Sequence, residues 1–375
     1  MNVVFNGFGL PDIIVIFLYI IGAYQLRDNT VIIGEARYEK LFSYCVIIHF
    51  IVTFLYPLVV SVSDSTGYFN EAVRMMTWKL DRQARLVVFA TYPLVHIFHL
   101  SYIGCMYVFS FIGLLGWYYL LRIVYEIAAG KWHKWFYLML MPQLHYWTCA
   151  LGKDSLIFFA VCVIMYAWFF SKSFFYYIIP CFIIGNIRSP ILMLMVIAYA
   201  MSFMLQSKAS LFLKLTICIG LFAGTIAFMP MVEQRLGGTD ITSASSLQNY
   251  IEAQVAYNQG GGSSVDLRNA NIVVKIFSYI FRPLFFDARS ILQLEASFEN
   301  LIWLSMFIFI VRNFQWKYML WFPTLAFILM WFAQGSVLNN LGIAMRQKMM
   351  FFPMFLLLFM QILYDTRKDT FETDE

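Results

Sequence analysis

Long apolar runs without a polar break constrain this chain more than any other feature. Residues 155–170, Ser155 through Phe170, hold no charged side chain. A membrane β-barrel would instead alternate apolar and polar positions over segments of about ten residues. In lipid an uninterrupted run is stable as a helix, which satisfies its own backbone hydrogen bonds. Composition agrees: 61% of the 375 residues are apolar and 13% are charged. An ordinary soluble domain carries about 25% charged residues, and a soluble chain this apolar would leave large hydrophobic patches in water. A soluble enzyme, a nucleic-acid-binding domain and a disordered tail are excluded. The net charge of +5 is spread out with no polybasic block, so no nucleic acid is expected as a partner. The aromatic content of 19% suits interfacial belts.

The expected fold is all-α, a polytopic integral membrane protein. At about 20 residues per span, the apolar positions allow about eleven transmembrane helices. They are placed near 10–26, 41–62, 100–124, 135–149, 155–171, 174–187, 190–206, 211–230, 291–311, 318–334 and 350–364. Segments 135–149 and 174–187 are short and contain Pro142 and Pro180, as broken helices lining a cavity do. Residues 1–375 read as a single membrane domain whose large loop, 231–290, carries short amphipathic helices. Pro11 to Gln25 reads as a retained first span, not a signal peptide. Cys45, Cys105, Cys149, Cys162, Cys181 and Cys218 lie in or beside apolar runs without metal spacing, and read as buried small hydrophobes.

An odd number of spans puts the termini on opposite sides. The 26 Lys and Arg residues then divide evenly between the two sides. Long loops count little in the positive-inside rule. Leaving out Arg235, Arg268, Lys275, Arg282 and Arg289 of the long loop makes the side with Arg27, Arg122 and Lys172 the more basic. That side is expected to be cytoplasmic, with the N-terminus outside and the C-terminus inside. The outer polar regions are then 63–99, 230–290 and 335–349. In the second, Gly237-Gly238 and Gly260-Gly261-Gly262 flank a helix opened by Ser245-x-x-Gln248, with Leu247, Tyr250, Ile251 and Val255 on one face. This pattern suits a lid on the bilayer surface or an ordinary surface helix.

Charges at a membrane are costly and therefore mark function. The outer cations are Lys153, Arg188, Arg282, Arg289, Arg346 and Lys348. Several fixed cations at one face suit a phosphate or pyrophosphate group, which arginine grips with two parallel hydrogen bonds while staying charged. The competing reading of each is a side chain that snorkels to lipid phosphates. Asp64 or Asp154 can serve as general base on a hydroxyl. Asp64 reads equally as a helix N-cap, and Asp154 as a partner of Lys153 or a cap of the next span. Glu295 and Glu299, one turn apart, are expected to face Arg282 or Arg289 inside the protein. His145 is a candidate for proton transfer or for an aromatic belt. His96 and His99 lack a third ligand, so no metal is expected. There is no Walker A loop, dinucleotide fingerprint, G-x-S-x-G or H-E-x-x-H, which argues against ATP-driven transport and soluble-type hydrolysis and leaves no cofactor to expect.

Short motifs along most of the chain carry a resemblance. They are Asp64-Ser65-Thr66-Gly67-Tyr68, then Pro142-x-x-His145-x-Trp147 leading to Gly152-Lys153-Asp154, and Ile187-Arg188-Ser189-Pro190. Two more are Phe281-Arg282-Pro283-Leu284 with Glu299-Asn300, and Asn340-Leu341-Gly342-x-x-x-Arg346-Gln347-Lys348 with Pro353. In these the chain resembles the Wzy-type bacterial polysaccharide polymerases of O-antigen and capsule synthesis and the related EpsG-like membrane proteins. Ser189-Pro190 stands where many relatives have Pro-His, and Lys348 where arginine is frequent.

The resemblance implies a GT-C-like, inverting glycosyltransferase of the bacterial inner membrane, working at the periplasmic face without nucleotide sugars. Its substrate would be an undecaprenyl-pyrophosphate-linked glycan within the lipid bilayer, and a chain-length regulator could be a partner. Lys153, Arg188, Arg282, Arg289, Arg346 and Lys348, with Tyr68, would bind substrate, and Asp64, Asp154 and His145 would be catalytic. Competing readings are a lipid-linked oligosaccharide flippase or other transporter, a glycosyltransferase using polyprenyl-phosphate sugars, and an O-antigen ligase.

Overall fold

The computed structural model describes residues 7–28, 36–60, 63–80, 86–235, 243, 245–246, 248–249, 252–253, 265, 267, 270–337 and 340–371. Among these the regular structure is helical, without a strand. In order the helices are α1 (Leu10–Arg27), α2 (Ala36–Val59), α3 (Asp64–Arg74), α4 (Leu86–His96), α5 (Tyr102–Ile127), α6 (Pro142–Thr148) and α7 (Lys153–Phe169). They continue as α8 (Phe175–Gln206), α9 (Leu211–Arg235), α10 (Ile272–Phe281), α11 (Ile291–Asn313), α12 (Trp321–Ser336) and α13 (Leu341–Thr366). Six of the described helices, α1, α2, α5, α8, α11 and α13, are long and apolar enough to cross a membrane.

Several expected boundaries move, each for a local reason. The span expected at 135–149 is instead a 3-10 turn, Lys134–Leu140, followed by the seven-residue α6. Neither piece alone can cross a hydrocarbon core of about 30 Å, but the two in series run along α2, from Tyr38 at the Lys131 carbonyl through Cys45 at the Met139 carbonyl to Tyr56 on Tyr146. Pro142 opens α6 and pushes Met141 out of the helical region, to φ −56 and ψ 121. The spans expected at 174–187 and 190–206 correspond to two helical stretches of α8 that part at Arg188 (φ −144, ψ 65), where the break was expected. Pro190 cannot donate to the Asn186 carbonyl, so the break falls just before it. The outer region expected at 335–349 is helical from Leu341 onward, which draws Arg346 and Lys348 into α13. The flanking glycines and the apolar face Leu247, Tyr250, Ile251 and Val255 of the expected lid lie outside the described residues.

The chain divides into two compact units, Met1–Ile187 with Leu363–Glu375, and Arg188–Ile362. The first unit is built around α5, which is buried along most of its length and packs on α1, α2 and α7. Small residues on α5 permit this. A Cβ at Gly113 would strike the Thr148 carbonyl, and one at Gly116 would lie 2.8 Å from the Phe158 ring. Asp12 ties the starts of α1 and α5 together. Its Oδ1 accepts from Ser101 N–H and Ser101 Oγ, both at 2.9 Å, and its Oδ2 accepts from Gly9 N–H at 2.8 Å. The core of the second unit is aromatic. Trp303 stacks on Phe355 at 5.1 Å and 3°, and Trp331 donates its indole N–H to the Ile276 carbonyl at 2.8 Å, joining α12 to α10.

Candidate functional site

In the first unit two of the quoted motifs meet. Ser63 begins α3: its hydroxyl accepts from Thr66 N–H at 3.4 Å, and the Thr66 hydroxyl accepts from Ser63 N–H at 3.1 Å. This reciprocal cap fixes the helix start. The N-cap is therefore Ser63, and Asp64 stands exposed in the first turn. Behind it, buried Ser65 accepts from the Tyr102 hydroxyl at 2.9 Å and donates to Met106 Sδ. The same sulfur accepts Leu151 N–H at 3.1 Å, two residues before Lys153. Lys153 Nζ then lies 5.6 Å from the centre of the Tyr68 ring, a cation–π contact. Lys153 and Asp154 open α7 behind Gly152, which puts the Asp154 carboxylate, buried to 8% exposure, at the positive end of that helix. A base and a cation on two helix starts can orient a hydroxyl beside an anion.

His145 lies elsewhere than beside this pair of motifs. It is fully buried, and both ring nitrogens are engaged, Nδ1 with His49 and Nε2 with the Met139 carbonyl. No ring nitrogen is left to meet a substrate. His96 donates through Nε2 to the Ala72 carbonyl, 3.0 Å away, and its ring packs tilted against Tyr92; it fastens α4 to α3.

In the second unit the end of α10 gathers the remaining charges. Arg282 closes α10 and grips Asp287 with two nitrogens, Nε at 2.9 Å and Nη2 at 2.5 Å. Leu284 N–H adds a third bond to Asp287 at 3.0 Å, so the turn 282–287 is locked around one carboxylate. Partial burial works to raise the Asp287 carboxyl. The hydrogen bonds from Arg282 and Leu284, with the charges of Arg282 and Arg289, outweigh it and hold the group below its ordinary range. The Asp287 hydrogen bond in turn keeps the Arg282 guanidinium charged above its ordinary value.

Lys348, only 2% exposed on α13, reaches into the same turn. Its Nζ donates to Asn300 Oδ1 at 2.5 Å and to the Arg282 carbonyl at 3.3 Å, and Asn300 Nδ2 donates to the Pro283 carbonyl at 2.7 Å. The acid whose charge reaches Lys348 is Glu299. One residue away, Gln347 Oε1 accepts from the Tyr279 hydroxyl at 2.8 Å, and the Arg188 charge acts on that hydroxyl.

The structure therefore brings Arg188, Arg282, Arg289 and Lys348 to the end of α10, and Tyr68 and Lys153 to the start of α3. Arg346 is half-buried on α13 beside Gln347. Glu299 was expected to face Arg282 or Arg289; its charge acts on Lys348, and Asp287 holds Arg282. Asn300 was quoted in a motif without a role, and its role is to join Lys348 to the turn. Asp12 and His49 were missed, although each is an ionisable residue inside an apolar run, the signal that marks such residues. Comparison with protein-family models, with curated proteins and with solved structures finds no match to this chain.

Proposed function

We propose that this chain is a membrane glycosyltransferase that polymerises undecaprenyl-pyrophosphate-linked oligosaccharide repeat units at the periplasmic face of a bacterial inner membrane. About eleven spans, N-terminus outside, belong to this reading. The observation that carries it is the turn at the end of α10. Arg282 is held in a fixed orientation by Asp287, and the Arg188 and Arg289 charges act on groups of the same small set. Preoriented cations stabilise the charge that develops on a departing pyrophosphate. Lys348 is a positioning residue, since it holds Asn300 and the Arg282 carbonyl. Asp64 is the acid with open access, and it is assigned as general base for the acceptor hydroxyl. Lys153 with Tyr68 would orient the acceptor.

The test is a glycan ladder on a gel, from cells that lack the gene and carry it back as Arg282→Ala or Arg188→Ala. Well-expressed variants should give single capped repeat units and no ladder. Full-length ladders from both would defeat the assignment.

One observation favours a second reading, a flippase of lipid-linked oligosaccharide. Lys348 and Glu299 lie well inside α13 and α11, both long enough to span, and buried charges inside spans are characteristic of transport paths. Loss of a flippase would strand repeat units on the cytoplasmic side, whereas loss of a polymerase would leave single units outside.

A further inference from the structure

The interior of the first unit holds two histidines that the proposed function does not use. His49 on α2 and His145 on α6 are both fully buried. Their Nδ1 atoms lie 3.1 Å apart. His49 Nε2 lies 3.0 Å from the Ser110 carbonyl oxygen, and His145 Nε2 lies 2.8 Å from the Met139 carbonyl oxygen. A carbonyl oxygen only accepts, so each Nε2 must carry hydrogen. Two neutral imidazoles bring two N–H groups in all, and both are then committed to carbonyls. Across the 3.1 Å gap, lone pair would face lone pair. Shifting a hydrogen to Nδ1 within either ring only moves the repulsion to a carbonyl. Turning either ring over puts carbon where Nε2 now meets oxygen, and gives up the N–H bond to that carbonyl.

Three contacts thus need three N–H groups. We propose that His49 and His145 bind one proton between them, so that the core of the first unit carries an imidazole–imidazolium pair. The third hydrogen comes from solvent as a proton, sits between the two Nδ1 atoms, and gives the pair one positive charge.

Full burial works against a charge, and three features of the surroundings offset it. The Trp117 ring stacks on His145, with centroids 4.5 Å apart and 20° between planes. In that position an indole face stabilises a cation. The two carbonyl bonds become charge-assisted. His145 also stands in the last turn of α6, at the negative end of the helix. The bound proton joins α2, α5, the 3-10 turn and α6. Since α6 leads straight to Gly152-Lys153-Asp154, it fastens the segment that positions this motif. The inference is independent of the proposed function.

The test is nitrogen NMR of the full chain in lipid nanodiscs, with ¹⁵N in the histidine rings. The chain has five histidines, and the pair is assigned by its loss in His49→Gln and His145→Gln. If either variant fails to fold, His96→Gln, His99→Gln and His133→Gln identify the three other histidines, and the pair is what remains. The expected result is three protonated ring nitrogens among the four of the pair, with one hydrogen coupled to both Nδ1 atoms. Two protonated nitrogens, with both Nδ1 bare, would overturn the proposal.

Discussion

The two units keep polar groups out of water in opposite ways. In the first, Asp12 spends both oxygens on donors at two helix starts, and Thr53 pairs with the Ser110 hydroxyl at 2.7 Å while bonding the His49 carbonyl. These bonds join one helix to the next. In the second, Arg282, Asp287, Asn300 and Lys348 are bonded chiefly to one short turn. A polar group that joins helices serves packing, and its loss is felt as instability. On the proposed function, charges concentrated on a turn serve a ligand, and there a change should cost activity as well as folding.

The sharpest way to break this contrast is Asp12→Ala. It leaves Ser101 N–H, the Ser101 hydroxyl and Gly9 N–H without their acceptor in a fully buried place. The cost should be about 4 kcal/mol, read as a collapse of folded yield and thermal midpoint on fluorescence-detected gel filtration. Asp12→Asn keeps an acceptor and should lose roughly half as much. A well-folded Asp12→Ala protein would show that the first unit does not depend on this joint.

Next in size is Lys348→Met, which fills the volume but removes the cation whose charge acts on Glu299, itself only 5% exposed, and takes the Lys348 donor from Asn300 Oδ1. About 3 kcal/mol should be lost, as when one partner of a buried pair is removed. The double variant Lys348→Met/Glu299→Gln should recover most of that stability and still fail to build a glycan ladder. Recovery of both would make Lys348 a packing residue and erase the difference between the units.

Helix placement was legible in the sequence where an apolar run was long and carried no proline beyond its first turn. Residues 10–26 and 155–171 match α1 and α7 within two residues. It failed where apolar content hid a break. Residues 135–149 are as apolar as a span, but Pro142 splits them, and burial inside the first unit stabilises two short pieces that could not stand in lipid alone. The candidate cations were legible as residues, because charge is scarce in such a chain. Their partners were not: that Asp287 takes Arg282 follows from the turn 282–287, and that Lys348 reaches Asn300 from the packing of α11 on α13. Neither is written in local spacing.

A smaller effect tests the turn itself. Asp287 has its pKa lowered in the folded protein, so its contribution is present above the unfolded carboxylate pKa of about 4 and is lost as pH falls through the folded value. Asp287→Asn should therefore cost about 1 kcal/mol at pH 7, allowing for the partial exposure of the pair. The gap to the parent should stay constant down to about pH 5 and close below pH 4. A gap that widened on acidification would mean that Asp287 is held protonated, and the turn would then present no oriented guanidinium.

The smallest effect separates folding from chemistry at the start of α3. Ser63 carries the helix cap, so Ser63→Ala should cost about 1 kcal/mol, as lost caps do. Asp64 is exposed one residue later, and Asp64→Asn keeps its shape while giving up a favourable charge near the helix end, about 0.5 kcal/mol. If Asp64 is the base, the smaller stability change brings the larger functional one: Asp64→Asn should abolish the ladder at full expression, while Ser63→Ala should shorten it in proportion to the folded protein that remains. Ladders lost in proportion to folding for both variants would make Asp64 a first-turn charge and move the base to Asp154, whose carboxylate opens the neighbouring helix.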